Sequence, residues 1–509
     1  MSTLTAANTI TILPKRSPAI GFSLLVGLLA LVAVAKVVLA DTLDPDCFWH
    51  LRVADEIARQ GWPRPLIDHL SFASIPRAWV PYSWLAELAM KRLWDLGGYR
   101  AAVAAQAAME AGFLLFIAMG AIEGTRVAFG EPRYFASALA TAMAAVLSLA
   151  YLSFRPVTAV LLLLAVVSWL LLRDRRMEQK SRAVWLVPLL TALATNFHLF
   201  AIFVPLWTVA LFVGDLIEQR RELANRRVGR GAALASLSTL GFLMTPLLPG
   251  AVRSIVNYSL NDIMVRSRVI SEMQPFYHGV MGWVSAGLVV MLFVLLARRY
   301  FARPRKTLGL GEFFWLAGSA VLLLRIGRMA PVFALIASPW FAVVMPTMSD
   351  RILTRSIIWG MLGAVLFAGA IRIAGAFPRE SMSISTWLNR HGAGLPAYPC
   401  AAADFVEQHV APVSGRLICE FSWGGYLEWR LGNHYQTLMD GRTQLFSADF
   451  WRSAYMGSME DRARLLKSTG ADVAVIPRQR SLFLKTLQDL NWQTVYEDDF
   501  ATVLIPPAK

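Results

Sequence analysis

The chain has 509 residues, 56% of them hydrophobic, and a mean hydropathy of +0.50. That mixture is too apolar for a soluble protein and too long for one anchored domain. A formal net charge of +15 does not imply nucleic acid, because the basic residues sit in short blocks between apolar stretches rather than along one soluble face.

Lys15 and Arg16 precede an apolar run over residues 18–40, about 23 residues, which exceeds a signal-peptide core and suits a retained spanning helix. Val38-Leu39-Ala40 would pass as a cleavage site, and cleavage there would leave Asp44 near a free terminus. Further apolar stretches follow over 101–122, 135–152, 157–172, 183–197, 199–216, 232–248, 281–297, 312–324, 331–345 and 356–376. The pattern predicts a helical bundle of about eleven spans. Three basic blocks fall on one side of that map: Arg173, Arg175, Arg176, Lys180 and Arg182; Arg220, Arg221, Arg226, Arg227 and Arg230; Arg298, Arg299, Arg303, Arg305 and Lys306. The positive-inside rule makes that side the cytoplasm, with the N-terminus inside and the segment after Phe377 outside.

On this map all seven histidines (His50, His69, His198, His278, His391, His409, His434) fall outside or at an outer helix end. So do Asp44, Asp46, Arg155, Asn196, Glu272, Arg325 and Arg328. Long outer loops collect polar residues anyway. Loop length does not explain polar groups at the mouths of short hairpins such as Thr195-Asn196-Phe197-His198, since polar groups at membrane depth are costly and face a cavity or a partner. Glu110, inside the second span, reads equally well as a functional group or as a polar helix contact.

The first outer loop, residues 41–97, has structure of its own. Phe48, Leu51, Ala54, Ile57 and Ala58 recur at helical spacing over 48–60, Gly61 ends that helix, and a second helix is predicted over 84–96. Just ahead of the first helix, Asp44 and Asp46 flank Pro45, and Asp46 is read as the N-cap of a helix starting near Cys47. A cap does not account for the second carboxylate, nor for His50 four residues on.

Residues 377–509 alternate strand-like and helical pieces and predict a small α/β domain, with strands at 416–420, 435–439, 473–476, 494–496 and 502–505. Gly424-Gly425 reads as a turn. Trp423, Tyr426, Trp429, Tyr435, Asp440 and Arg442 form either an acceptor-binding surface or a structural cluster. Cys47, Cys400 and Cys419 show no CxxC spacing; a Cys400–Cys419 bond and two unrelated buried thiols are both open.

The run from Asp44 to Leu51, then Gly61-Trp62-Pro63-Arg64-Pro65-Leu66-Ile67-Asp68 and Ser83-Trp84-Leu85-Ala86-Glu87, resembles the first loop of bacterial GT-C-type membrane glycosyltransferases. That superfamily includes protein O-mannosyltransferases and oligosaccharyltransferases. Ser153-Phe154-Arg155-Pro156 is similar to its Arg-Pro element. Ala194-Thr195-Asn196-Phe197-His198 and Ser271-Glu272-Met273 resemble its Asn-x-His and Glu-Trp elements without their Trp and Gly residues, and Trp423-Gly424-Gly425 and Asp440-Gly441-Arg442 resemble its soluble domain.

The resemblance implies a membrane all-α multi-span bundle with a GT-C-like fold over residues 1–376 and a C-terminal extracytoplasmic α/β domain over 377–509. It further implies a bacterial inner-membrane enzyme that moves a sugar from a polyprenyl-phosphate-linked donor to a glycan, lipid or protein acceptor. In that reading Asp46 is the base and Asp44 its helper, while His50, Arg155, Asn196, His198, Glu272, Arg325 and Arg328 bind substrate. A divalent cation is left open, because no close HxH or HExxH spacing supports a dedicated metal centre. The alternative is a non-catalytic membrane binding or assembly protein with a degenerate GT-C fold.

Overall fold

The computed structural model describes residue 27 and residues 43–61, 64–74, 77–218, 226–260, 263–267, 270–277, 279–302, 307–345, 398–410, 415–479 and 481–507. The predicted span over 356–376 and, apart from residue 27, that over 18–40 lie outside these residues, as do the expected domain boundary at 377, His278 and His391.

The principal described helices up to residue 345 are α1 (Asp46–Gln60), α2 (Trp84–Phe129), α3 (Tyr134–Ser148), α4 (Pro156–Arg176), α5 (Leu186–Thr195), α6 (Phe203–Glu218), α7 (Arg226–Leu243), α8 (Leu248–Leu260), α9 (Gly279–Ala302), α10 (Leu310–Arg325) and α11 (Ala330–Val344). The apolar stretches predicted between residues 101 and 345 fall on them. Four described helices are long and apolar enough to cross a membrane, or five if the pair Val228–Leu243 and Leu248–Val256, bent by 99°, forms one broken span. The helices over Tyr134–Ser148 and Arg182–Thr195 are apolar but shorter. The described residues therefore do not reach the expected count of about eleven.

In α2 the loop helix and the following apolar stretch run together, broken at Gly97 and Gly98, where Gly98 has φ +56° and ψ −140°. That backbone region is open essentially to glycine alone. Inside α2, Gln106 donates to Glu110 at 3.0 Å, so Glu110 has a partner one helical turn away. Helix α11 is the bundle's centre: 89% of its spanning window is buried.

Charged groups collect at the two ends of α4. Arg155 stands immediately before its first turn and Arg175 near its last, about 30 Å apart at the helical rise, which matches a bilayer's hydrocarbon core. At the Arg175 end the guanidinium pairs with Asp215 (2.6 Å) and Glu312 (2.9 Å), and Arg230 pairs with Asp174 (3.0 Å). These pairs tie α4 to α6, α10 and α7.

The C-terminal unit holds a five-stranded sheet, β3 (Gly415–Cys419), β4 (Tyr435–Thr437), β5 (Val473–Pro477), β6 (Gln493–Glu497) and β7 (Ala501–Ile505), in the order β4-β3-β5-β7-β6. A two-stranded ribbon in the first loop supplies β1 (Leu66–Ile67) and β2 (Ala78–Trp79). Strand β3 is parallel to β4 and β5, and α12 (Phe421–Leu431) makes the crossover from β3 to β4. The Gly424-Gly425 pair is inside α12 rather than in a turn. A side chain at Gly425 would meet the carbonyl of Pro45 and the ring of Trp49, so small residues let α12 press against α1. All three cysteines are free; Cys400 Sγ accepts from Tyr426 and Cys419 lies against the carbonyl of Met439.

The first loop is built into this unit. Phe48 of α1 packs edge-on against Tyr398 and Tyr426, with ring centroids 5.5 and 5.3 Å away. Residues 70–72 extend the sheet at β4: Thr437 N–H donates to Leu70 (3.1 Å) and Phe72 N–H donates to Thr437 (2.9 Å). That covers an edge that would otherwise leave backbone groups unpaired.

Arg442, 1% exposed, then reaches from the unit into the loop. Its guanidinium binds Asp68 Oδ1 (2.9 Å) and both oxygens of Asp440 (3.0 and 2.9 Å to Nε). Burial, then the neighbouring Asp440 charge, pushes Glu428 far above the usual carboxylate range against the pull of Arg442. Ser71 Oγ lies between the two acids, 2.9 Å from Glu428 Oε1 and 2.8 Å from Asp440 Oδ2, and Glu428 Oε1 also accepts from Thr437 Oγ1 (2.7 Å). Of the aromatic and polar residues expected in this region, Trp423, Tyr426, Tyr435, Asp440 and Arg442 are buried, so their role is structural. Removing Arg442 strands buried carboxylates, and Arg442→Ala is expected to cost about 3–5 kcal/mol. Thermal melting and limited proteolysis of the detergent-purified chain check this; an unchanged midpoint and an uncut first loop would refute it.

Candidate active site

Helix α1 starts one residue earlier than its sequence pattern indicates. Pro45 is already in the helical region, and the capping bond comes from Asp44, whose Oδ1 accepts the Asp46 N–H at 3.0 Å. Asp46 is therefore not the cap. Its carboxylate is free to face across the loop.

It faces Arg155. Proline at the next position biases Arg155 to an extended backbone, and it has φ −137° and ψ 159°, while Phe154 beside it is anchored in the core. Only 12% of the Arg155 side chain is exposed, and three carboxylates converge on it. Nη2 binds Asp44 Oδ2, and Nη1 lies 3.3 Å from Asp46 Oδ2 and 3.5 Å from Glu272 Oε1. Arg328 closes the row with Nη1 3.1 Å from the same Glu272 oxygen.

Two of these acids differ in charge behaviour. Burial lifts the Asp46 carboxyl to about 6; Arg155 opposes the rise, and the charges of Asp44 and Glu272 add to it. Burial also works against a charge on Glu272, but Arg328 and Arg155 together hold it below the usual value. One carboxylate is fixed as an anion and the other is poised near neutrality.

Both candidate histidines are neutral. Burial, reinforced by nearby arginines, lowers His198 to about 3 and takes His50 well below its ordinary value. His198 Nδ1 accepts from the Phe200 N–H (3.2 Å), so its ring hydrogen is on Nε2. His50 Nδ1 lies 3.0 Å from Glu87 Oε1, and Glu87 is a residue that the sequence reading did not place in the site. Burial raises Glu87 to about 8 despite Arg442, and its Oε2 is buried with no hydrogen-bond partner among the described residues. The arrangement that leaves no buried proton stranded has Glu87 donating through Oε1 to Nδ1. His50 then keeps its hydrogen on Nε2. The signal for Glu87 was available, because it lies on the buried face of its helix between Ala86 and Met90.

Two other expected site residues do different work. The Asn196 amide is fully used: Oδ1 accepts from Trp84 Nε1 (2.9 Å) and Nδ2 donates to Ala192 (2.8 Å) and Met244 (3.0 Å), so it ties the end of α5 to α2 and to the turn after α7. Arg325 ends α10 with its side chain exposed, and among the described residues it takes no part in the carboxylate row.

The C-terminal unit supplies the wall. Gly441 sits so close to Asp46 Oδ1 and Trp49 Nε1 that no Cβ fits there. Asp440-Gly441-Arg442 thus bears on the candidate base and on the Arg442 network at once. The described residues do not fit a divalent cation: no group of three or more His, Cys, Asp or Glu is placed to hold one, and the three carboxylates that converge do so on a guanidinium.

Glu87→Gln retains a donor to His50 Nδ1 and is expected to keep wild-type stability. Glu87→Ala leaves the imidazole unheld and is expected to cost about 1–3 kcal/mol of stability. Thermal unfolding of the two detergent-purified variants checks this, and an equal loss in both would contradict the assigned proton.

No protein-family model matches the chain, and the comparison with curated proteins gives no match. Solved structures do. The oligosaccharyltransferase AglB of Archaeoglobus fulgidus, in complex with an inhibitory peptide and a dolichol-phosphate, aligns over 90% of this chain and 69% of its own at 12% identity and a TM-score of 0.55. The same protein with zinc and sulfate covers 89% and 68%, at 12% identity and 0.52. ArnT of Cupriavidus metallidurans bound to undecaprenyl phosphate covers 97% of this chain and 99% of its own, at 15% identity and 0.53. The chain accordingly has the fold of the GT-C-type membrane glycosyltransferases.

Proposed function

We propose that the chain is a membrane glycosyltransferase that moves a sugar from a polyprenyl-phosphate-linked donor to an acceptor at the extracytoplasmic face of a bacterial inner membrane. The observation that carries this reading is Asp46, 24% exposed and poised near neutrality, beside Arg155 in a row that Arg328 closes through Glu272, where the bundle meets the C-terminal unit. The basic residues at the opposite end of α4 support the sidedness, with the N-terminus cytoplasmic and the C-terminal unit outside.

In this reading Asp46 accepts the acceptor's hydroxyl proton as that oxygen attacks the sugar's anomeric carbon. The bond from that carbon to the phosphate oxygen breaks, and its electron pair leaves with the polyprenyl phosphate. A phosphate is a weak base and needs no strong acid to depart. Arg328, which shares Glu272 with Arg155, meets its charge. The neutral imidazoles of His50 and His198 orient the acceptor through Nε2–H.

The lipid has a seat beside this point. A groove of about 410 Å³ between α9 and α10 is lined by Phe276, Val289, Phe293, Ala320 and Leu323 among others. Phe276 follows Glu272 closely in the chain, and Gly327, next to Arg328, donates to the carbonyl of Gln274 (2.8 Å). Polyprenyl phosphates bound to the two neighbouring folds support such a carrier.

Asp46→Asn is expected to lower transfer by roughly 10²–10⁴-fold. Mass spectra of surface glycans, lipids and proteins from cells making equal amounts of each protein test this; identical spectra would defeat the assignment. Asp46 acts as the deprotonated form, so the rate should fall as pH drops through about 6. His198→Gln should lower the rate but keep that acid limb, and a limb that vanishes with His198 would move the base to the histidine.

A further inference from the structure

We infer that the Arg155 guanidinium is the built-in cation of this site, standing where a divalent metal would otherwise be needed to hold Asp44, Asp46 and Glu272 together. The assignment rests on the transferase reading only for the purpose of the cluster, not for its geometry.

Three carboxylates from separate segments, the start of α1 and the turn before α9, cannot approach one another without a cation between them. Here that cation is covalently attached. Nη1 serves Asp46 and Glu272, and Nη2 serves Asp44. Pro156 biases the backbone at Arg155, and Arg155 N–H donates to Ser153 (2.8 Å), so the charge stands on a fixed stem at the head of α4. A divalent ion entering the cluster would meet a positive charge already hydrogen-bonded to the oxygens it needs. The archaeal neighbour crystallised with zinc shares the fold, but the acids available here are turned onto an arginine.

Two consequences separate this from a metal-dependent transferase. Transfer by the purified full chain should be unchanged by EDTA and by added Mn²⁺. Removing the guanidinium should leave a three-carboxylate nest that gains divalent affinity. Binding of Mn²⁺, followed by electron paramagnetic resonance on detergent-purified protein without any sugar donor, reads this independently of activity. The wild type is expected to show no site removed by Asp46→Asn. Arg155→Ala is expected to bind Mn²⁺ on the order of 100-fold or more tighter than wild type, with the gain lost in Arg155→Ala/Asp46→Asn. Arg155→Lys keeps the charge and should gain nothing.

If Arg155→Ala does not fold, the wild type still decides. Stoichiometric Mn²⁺ uptake by wild type that Asp46→Asn abolishes would overturn the inference while leaving the transferase reading standing. Absence of transfer activity with no wild-type metal site would do the reverse.

Discussion

A guanidinium cut off from water must be neutralised where it stands, and in this protein that requirement assembles the site. Arg155 occupies a position where the chain leaves an extended turn and enters a bilayer-length helix, so its location is set by the bundle. Each acid that neutralises it comes from elsewhere: Asp44 and Asp46 from the first loop, Glu272 from the turn before α9. Desolvation makes leaving any one unpaired costly, so loop, turn and helix are registered together. The same desolvation, incompletely cancelled at Asp46, leaves that carboxyl with a near-neutral proton affinity.

A second buried guanidinium performs the matching task on the far side of the loop. Arg442 binds Asp68, so the loop is held between the bundle and the C-terminal unit by two arginines that each serve several acids. Gly441 links the two, since it touches Asp46 while its neighbours on either side belong to the Arg442 network. The unit is therefore a wall of the site and not an appended module.

Periodicity alone made much of this legible. The strands near 416, 435, 473, 494 and 502 and the helices of the bundle follow from apolar spacing, and the polar groups at one face follow from the positions of the basic blocks. Helix starts were less readable: Asp46 satisfies the local rule for a cap, but Pro45 is already helical and the bond to the Asp46 N–H comes from Asp44. Gly424-Gly425 looks like a turn to any local rule, yet close packing of α12 on α1 keeps it helical. The Arg155 cluster and the Glu87–His50 contact join residues far apart in the chain, and no spacing pattern encodes such pairs. Asn196 shows the converse: a polar residue at a membrane mouth whose hydrogen bonds are all consumed by neighbouring segments.

The fold is shared with an oligosaccharyltransferase in complex with a dolichol-phosphate and with ArnT bound to undecaprenyl phosphate, but a fold alone does not assign chemistry. Under the proposed function, Asp46 at this face drives release of a lipid phosphate from a sugar. The most direct test supplies the purified chain with polyprenyl-phosphate sugars extracted from its own cell membranes and follows free polyprenyl phosphate against sugar-modified acceptor. The two products are expected to appear together in equal amounts with wild type and to stay at background with Asp46→Asn. Release at the same rate by both proteins, or by neither while the donor is bound, would contradict it.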